Sequence, residues 1–525
     1  MVAAVSTSLW KGSCPGVALK HAILVSSAFI IALACAGPLN AAQWRKLATP
    51  RYTIITHASD RLTRSVASDF DDFLGLLDRI VVVKPDALRP LTIVLFADDS
   101  EFDPFKPLTP EGTNIDYVSE EEPGVRTTSV IGSQNGWTAI GVAAQEGIGG
   151  QDYNNWTRKA VSAGGVMWYL AALKTPAPPA VMHGMTRMLS NYKREITHGV
   201  VGNITPGAVR ILNQWPLIPV NQLFTMTQME AITGHNRVLF ANESWALVEY
   251  LMFSKWSVQR HAFSTFWEAL RDGSPADEAL VKALGPDGAA RINTDLSAFI
   301  HSTRYVLKIE MGEEIENHDP IVPADPMEVE IALTKATMVS RHGSLVAHAD
   351  AAVAASRGRP EAYDIRAEAL AATNAAPADV EKAVEDALAH GSRSACTVWQ
   401  DAAFRFSRIG DPASPDKARA VINLAEQAAN LDLRFRPSFD LVAKALVFSD
   451  RVTDDDAKFL AFARTTFPWD RWILIGQSAI HAKTGDPEGA GQLRERALSD
   501  DRRLNPNQIA EIKAFVAHLG ETASR

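Results

Sequence analysis

From Asp60 to Ile80 the apolar side chains Leu62, Val66, Phe70, Phe73, Leu74 and Leu77 recur every three or four positions. That spacing predicts an amphipathic helix, with Asp60 placed to cap its first turn. Tyr52–Thr56 is a short run rich in β-branched residues, and Leu91–Phe96 is mostly apolar up to Asp98-Asp99. Both predict strands. Residues 127–132 and 136–144 read as two further strands paired around Ser133-Gln134-Asn135. The first stretch, from residue 43 to about 155, is therefore mixed α/β. Its acidic segment at Glu120–Glu122 reads as a solvated loop.

Beyond Asn155 the period becomes helical. Helices are predicted over 156–172, 180–192, 221–232, 241–256, 261–272, 276–284 and 287–306. Glu313 to Pro326 holds three prolines and several charges, which predicts a linker over 311–326. From 327 to 525 the chain is Ala-rich and reads as helical hairpins. Ala383, Ala418, Ala457 and Ala490 recur roughly 33–39 positions apart, near the 34-residue period of tetratricopeptide repeats. Pro360–Leu370 resembles the first helix of such a unit, and Gly485-Asp486, Ala490, Ala497 and Pro506 outline the last. Alanine at a hairpin crossing lets two helices approach closely, and stacked hairpins bury a core that one alone cannot.

The chain has 525 residues, enough for two or three domains, and a formal net charge of -9. Phosphate binding needs a basic footprint, so the charge argues against a nucleic-acid partner. Residues 1–42 read as an export signal. Lys11 and Lys20 precede the uncharged apolar run Ala22–Cys35, and small residues follow at Ala36, Ala41 and Ala42. The run is short for a membrane span, which needs about 20 residues. The expectation is an exported, periplasmic or secreted protein cleaved after Ala42, touching a membrane only if the signal stays uncut. Cys14 and Cys35 lie in the signal, so Cys396 remains alone and no internal disulfide forms.

Candidate chemistry centres on two helices. The first carries Val161-Ser-Ala-Gly-Gly-Val-Met-Trp-Tyr-Leu170, and the second carries Pro178-Pro-Ala-Val-Met-His-Gly-Met-Thr-Arg-Met-Leu-Ser190. Phe240-Ala-Asn-Glu-Ser-Trp-Ala-Leu-Val-Glu-Tyr-Leu251 follows. With the preceding strands and the repeats behind them, these segments resemble a bacterial family of unknown function in the gluzincin, or peptidase-MA-like, group. The resemblance covers about residues 43–310. It implies an α+β zincin-like domain of mixed sheet plus helices, followed by an all-α tetratricopeptide-like domain over 327–525. It also implies where the zinc chemistry would lie. The first metal His falls on Gly164, the general-base Glu on Gly165, the second metal His on Trp168, and the downstream metal Glu on His183. A catalytic zinc site uses three protein ligands and an open water position. Glycine and indole offer no ligand atom, and no Glu stands ready to take a proton from a bound water. The expectation is a pseudo-peptidase with no catalytic residue, no metal and no cofactor, acting as a scaffold that binds a protein partner through its repeats.

The alternative is a hydrolase with a displaced site. His183, Glu195 and His198 are the candidate ligands, with His235 a further one. Glu243 and Glu249 lie six apart on one helix, on different faces, and read as structural. His342 and His348 read as solvated residues at a helix boundary. No glycine-rich phosphate loop, Ser/His/Asp elbow or Cys/His thiol site is legible.

Overall fold

The alternation of side chains along Ile54-Ile55 and Ile93–Phe96 sets the architecture, because both faces of the sheet they form are covered. The structure is a computed structural model. It describes residues 43–80, 88–105, 129–134, 137–144, 155–173, 175, 177–202, 205–226, 237–301, 306–313, 316–340, 343–409, 414–498 and 506–522. Nine strands are described: β1 (Arg45–Ala48), β2 (Tyr52–Thr56), β3 (Leu91–Phe96), β4 (Ser129–Gln134), β5 (Trp137–Ala143), β6 (Lys193–Arg194), β7 (His198–Gly202), β8 (Val306–Glu310) and β9 (Ile321–Pro323). A six-stranded mixed sheet has the order β4-β5-β3-β2-β1-β9, with β2, β3 and β5 parallel and the others antiparallel to their neighbours. A smaller antiparallel sheet has the order β6-β7-β8.

Eleven described helices precede residue 326. They are α1 (Asp60–Ile80), α2 (Asp99–Phe102), α3 (Asn155–Leu173), α4 (Pro179–Ser190), α5 (Pro206–Gln214), α6 (Val220–Thr225), α7 (Arg237–Phe253), α8 (Lys255–Gln259), α9 (Ala262–Arg271), α10 (Ala276–Leu284) and α11 (Gly288–His301). Eleven more follow: α12 (Pro326–Ser340), α13 (Leu345–Ala355), α14 (Pro360–Ala372), α15 (Pro377–Ala389), α16 (Ala395–Ser407), α17 (Pro415–Leu431), α18 (Arg436–Phe448), α19 (Asp454–Thr466), α20 (Arg471–Lys483), α21 (Pro487–Leu498) and α22 (Pro506–Thr522). The chain is thus α+β and then all-α. Among the described residues, no helix is long and apolar enough to cross a membrane.

One face of the large sheet, with Ile54, Ile93, Leu95, Ile140 and Val142, packs on α1, α3 and the helices that follow. The opposite face, with Ile55, Val94, Phe96, Ala139 and Ala143, packs on Met327, Leu333, Ala336, Ile365 and Ala369 of α12 and α14. A strand buried on both faces is apolar throughout, which is why Leu91–Phe96 shows little polar alternation.

Several boundaries differ from the sequence reading. Ser59, not Asp60, caps α1: its hydroxyl accepts from the Leu62 N–H at 3.3 Å, and Asp60 is the first helical residue. The helix expected over 221–232 ends at Thr225, where the Met226 N–H closes on the Gln222 carbonyl; its span beyond residue 226 lies outside the described residues. The helix expected over 241–256 is interrupted at Ser254, whose side chain caps α8. Val306, expected at the end of a helix, belongs to β8.

Within 311–326, expected to run as a linker, Met311, Asn317, Asp319 and Ile321–Pro323 are instead tied to the first region. The Met311 N–H donates to the Thr197 carbonyl at 2.8 Å, and Arg64 reaches the Asp319 carbonyl at 2.8 Å. Asn317 is buried and donates to Asp71 at 2.9 Å, while Ile321–Pro323 pairs with β1. The hydrogen-bonding partners of these residues come from β1, α1 and the turn before β7, more than a hundred residues away, so the composition of the stretch conceals its order. His348 lies inside α13, half-buried, with Nδ1 2.8 Å from Glu330 and its ring stacked on Phe105; it is not at a solvated boundary. His342 and Glu120–Glu122 lie outside the described residues.

Candidate functional site

The three α3 positions that would carry the zinc chemistry do not look into a shared cleft. A methyl placed on Gly164 would lie 2.2 Å from Cδ1 of Ile140 on β5. One placed on Gly165 would lie 2.8 Å from the Phe70 ring of α1. Both glycines are therefore contact surfaces where α3 is pressed against the sheet and against α1. Trp168 is buried, and its indole N–H donates to the Arg89 carbonyl at 2.7 Å. Next to it the Tyr169 hydroxyl donates to Asp78 at 2.5 Å and accepts from Arg51. Around these positions stand the hydrocarbon of Ile140 and the rings of Phe70, Phe73, Trp168 and Tyr169.

His183 lies on α4, which packs closely along α7. Gly184 makes that approach feasible, since a methyl there would meet the Ser244 carbonyl oxygen at 2.2 Å. His183 is buried and meets the Phe240 ring edge to face, with centroids 5.4 Å apart. One turn on, the buried Arg187 donates to Asn242 at 3.2 Å and lies over the Trp245 ring, 5.7 Å from its centroid. The Trp245 indole N–H donates to Glu249 at 2.9 Å. Here α4 and α7 enclose a polar row inside an apolar shell.

Glu243 belongs to the same helix but turns toward the segment before α6. It is fully buried, and Oε2 accepts the Ile218 backbone N–H at 2.8 Å. Oε1 has no hydrogen-bonding partner among the described residues. Burial pushes this carboxyl up to about 8, opposed only by the Ile218 N–H. The group is therefore held as a neutral acid at neutral pH, with no acceptor for its proton among the described residues.

The displaced metal site is not assembled. Glu195 and His198 close the β6–β7 turn through paired backbone hydrogen bonds of 2.8 and 3.3 Å. The Glu195 carboxylate takes Lys308 Nζ at 3.0 Å, and His198 Nδ1 lies 2.7 Å from the Thr197 hydroxyl. This turn is at the surface, whereas His183 is packed between two helices. His235 lies outside the described residues. Among the described residues, no group of three or more His, Cys, Asp or Glu is disposed to hold a metal ion.

Sequence reading missed the Arg187–Asn242 pair and a second buried polar group at Trp137 and Glu368, and it singled out Glu243 as structural without its burial or its partner. One signal was available. The stretch 237–253 is apolar around its whole circumference, so any charged residue within it must be buried and must find an internal partner. The partner of each could not be read, because Asn242 and Arg187 are brought together only by helix packing. No family model matches this chain, and neither does any curated protein or solved structure.

Proposed function

We propose that this protein is a non-catalytic, exported scaffold. In this reading a zincin-like domain has lost its chemistry, and a tetratricopeptide-like array attached to it binds another polypeptide. The observation that supports it best is the filled volume beside Gly164 and Gly165. An α3 helix seated this tightly on Ile140 and Phe70 leaves no room for a His or Glu side chain at those positions. The array supplies the interaction surface, and it exposes apolar side chains at Leu433 (50 %) and Phe462 (43 %).

Two measurements on the intact chain test this. Metal analysis of the purified protein is expected to find zinc well below one ion per chain, unchanged in a His183→Ala variant. Stoichiometric zinc that disappears in that variant would instead establish a hydrolytic metal site. Co-purification from an envelope extract is expected to yield a partner that Leu433→Glu or Phe462→Glu removes, and a partner retained by both variants would defeat the role given to the array. Substitutions are preferable to deletion of residues 327–525, because deletion would expose Phe96, Trp137 and the rest of the sheet face that α12 and α14 cover.

A further inference from the structure

The second face of the large sheet is closed by hydrocarbon, with an acid set into it. Ile365 and Ala369 of α14 share an apolar cluster with Ala139 and Ala143 of β5. Between them on α14, Glu368 is only 7 % exposed. Three other elements bring side chains to it. Trp137 of β5 donates its indole N–H to the carboxylate at 3.0 Å. The buried Cys396 thiol of α16 faces the same carboxyl. The ammonium of Lys335 on α12 lies 5.5 Å from the centre of the Trp137 ring. One turn earlier on α14, Asp364 accepts from the Ser392 and Thr397 hydroxyls, which ties α14 to the start of α16. The charged and titratable groups around Glu368 are therefore Lys335, Cys396 and Asp364, since β5 carries none.

A carboxyl in this setting is poised between its two states. Ionised, it has given up water, and the indole and thiol that replace it are neutral donors. Neutral, it keeps the indole contact but loses the attraction of Lys335. Burial dominates and pushes the group from an ordinary 4.5 to about 7. Trp137 and Lys335 pull it back, Asp364 adds to the rise, and Cys396 opposes it. Burial also pushes the Cys396 thiol well up, so it stays a neutral donor, and pushes Lys335 down.

We propose that Glu368 is a proton-operated latch between the sheet and the helical array, which holds α14 tightly on β5 when the carboxyl is neutral and loosens that joint when it ionises. The position of the group makes it a latch: its partners lie on β5, α12 and α16, so its charge is felt by every element that meets at the joint. The folded carboxyl is raised above its unfolded value. Its stabilisation of the joint is therefore fully present below pH 4.5 and is lost as pH rises through 7. The latch needs neither the zinc reading nor a bound partner, and it stands or falls apart from the scaffold function.

Hydrogen exchange at the amides of β5 and α14, on the full chain and corrected for intrinsic rates, reports opening of this joint. A Glu243→Gln background removes the response of that second raised acid. If the opened state has an ordinary carboxyl, opening should be about tenfold rarer at pH 6 than at pH 8. Glu368→Gln keeps the shape and stays neutral, so it should abolish the difference. Trp137→Phe and Lys335→Met each remove a group that favours the ionised form, and each should move the midpoint to higher pH. A contact with a structural role alone would leave the midpoint in place. Equal opening at pH 6 and pH 8 overturns the proposal, and so does a tenfold response that survives Glu368→Gln. Should Glu368→Gln fail to fold, the infrared C=O stretch of protonated carboxyls decides. It is expected to decline with a midpoint near pH 7 and to shift upward in Lys335→Met, and a band constant from pH 6 to pH 8 rules the latch out.

Discussion

Gly164 and Gly75 are both helical glycines, and their surroundings give them opposite consequences. Gly75 on α1 has nothing within 4 Å of an added methyl, so Gly75→Ala should stabilise the protein by about 0.5–1 kcal/mol through backbone entropy. Gly164→Ala forces a methyl onto Ile140 and should cost about 1–3 kcal/mol by overpacking. Urea unfolding of the two variants checks the contrast, and a Gly164→Ala protein as stable as its parent would show that α3 is not seated on β5 as described. Glu243 gives a pH signature. Its folded carboxyl is raised from an ordinary 4.5 to about 8, so the folded state binds the proton more tightly than the unfolded chain. Its contribution is fully present below pH 4.5 and declines as pH rises toward 8. A tenfold proton preference corresponds to about 1.4 kcal/mol, so the decline is on the order of a few kcal/mol. Glu243→Gln should remove that part of the pH dependence and leave the variant relatively more stable at pH 8 than at pH 5, measured by denaturant titration at both.

Elements are joined by polar caps as well as by apolar faces. Thr453 and Asp456 form a reciprocal box at the start of α19: the Asp456 N–H donates to Thr453 Oγ1 at 3.2 Å, and the Thr453 N–H donates to Asp456 at 2.7 Å. The same carboxylate takes both guanidinium nitrogens of Arg419 on α17, at 2.8 and 3.0 Å. Burial pushes Asp456 up, but Arg419 and Thr453 outweigh it and hold the group below its ordinary value. Its contribution is therefore present above the unfolded carboxylate range and lost as pH falls. Asp456→Ala should cost about 1–3 kcal/mol at neutral pH, combining the lost cap with a stranded Arg419. The difference from the parent should shrink in acid, which thermal melts at pH 7 and pH 3 would show. Element existence was widely legible here. The strands 52–56 and 91–96 and the helix 276–284 reappear, and Ala383, Ala418, Ala457 and Ala490 each lie on a helix of the C-terminal region. The short strands β1, β6, β8 and β9 were not legible, because two to five residues with distant partners carry too little periodicity.

Trp44–Arg525 form one compact unit, and the contacts that make it so join residues hundreds apart. The Trp137 indole N–H donates to Glu368 of α14 at 3.0 Å, and Lys335 of α12 lies 5.5 Å from the centre of the same ring. Arg89 donates to the Arg434 carbonyl at 3.0 Å and Arg434 to the Leu88 carbonyl at 2.9 Å, a reciprocal clasp between the turn before β3 and the turn before α18. The sheet and the helical array should therefore unfold together. A single transition is expected by far-UV circular dichroism and by tryptophan fluorescence, and two resolved transitions would mean that the shared core across β3 and β5 contributes little. Trp137→Phe keeps most of the ring volume but leaves Glu368 without its indole donor. It should cost about 1–3 kcal/mol and lower both signals in step.

The sequence by itself determined most of the helices and the longer strands, because those choices rest on spacings of two and of three to four residues that lie within one window. It determined too that Gly164, Gly165 and Trp168 supply no metal ligand, since that is a property of the side chains alone. Only the tertiary structure decided that these positions face Ile140, Phe70 and the Arg89 carbonyl, that Ile321–Pro323 joins the sheet, and that α12 and α14 close its second face. Each of those facts depends on partners far apart in the chain. Which of several apolar faces meets which is settled only when the whole core closes at native packing density.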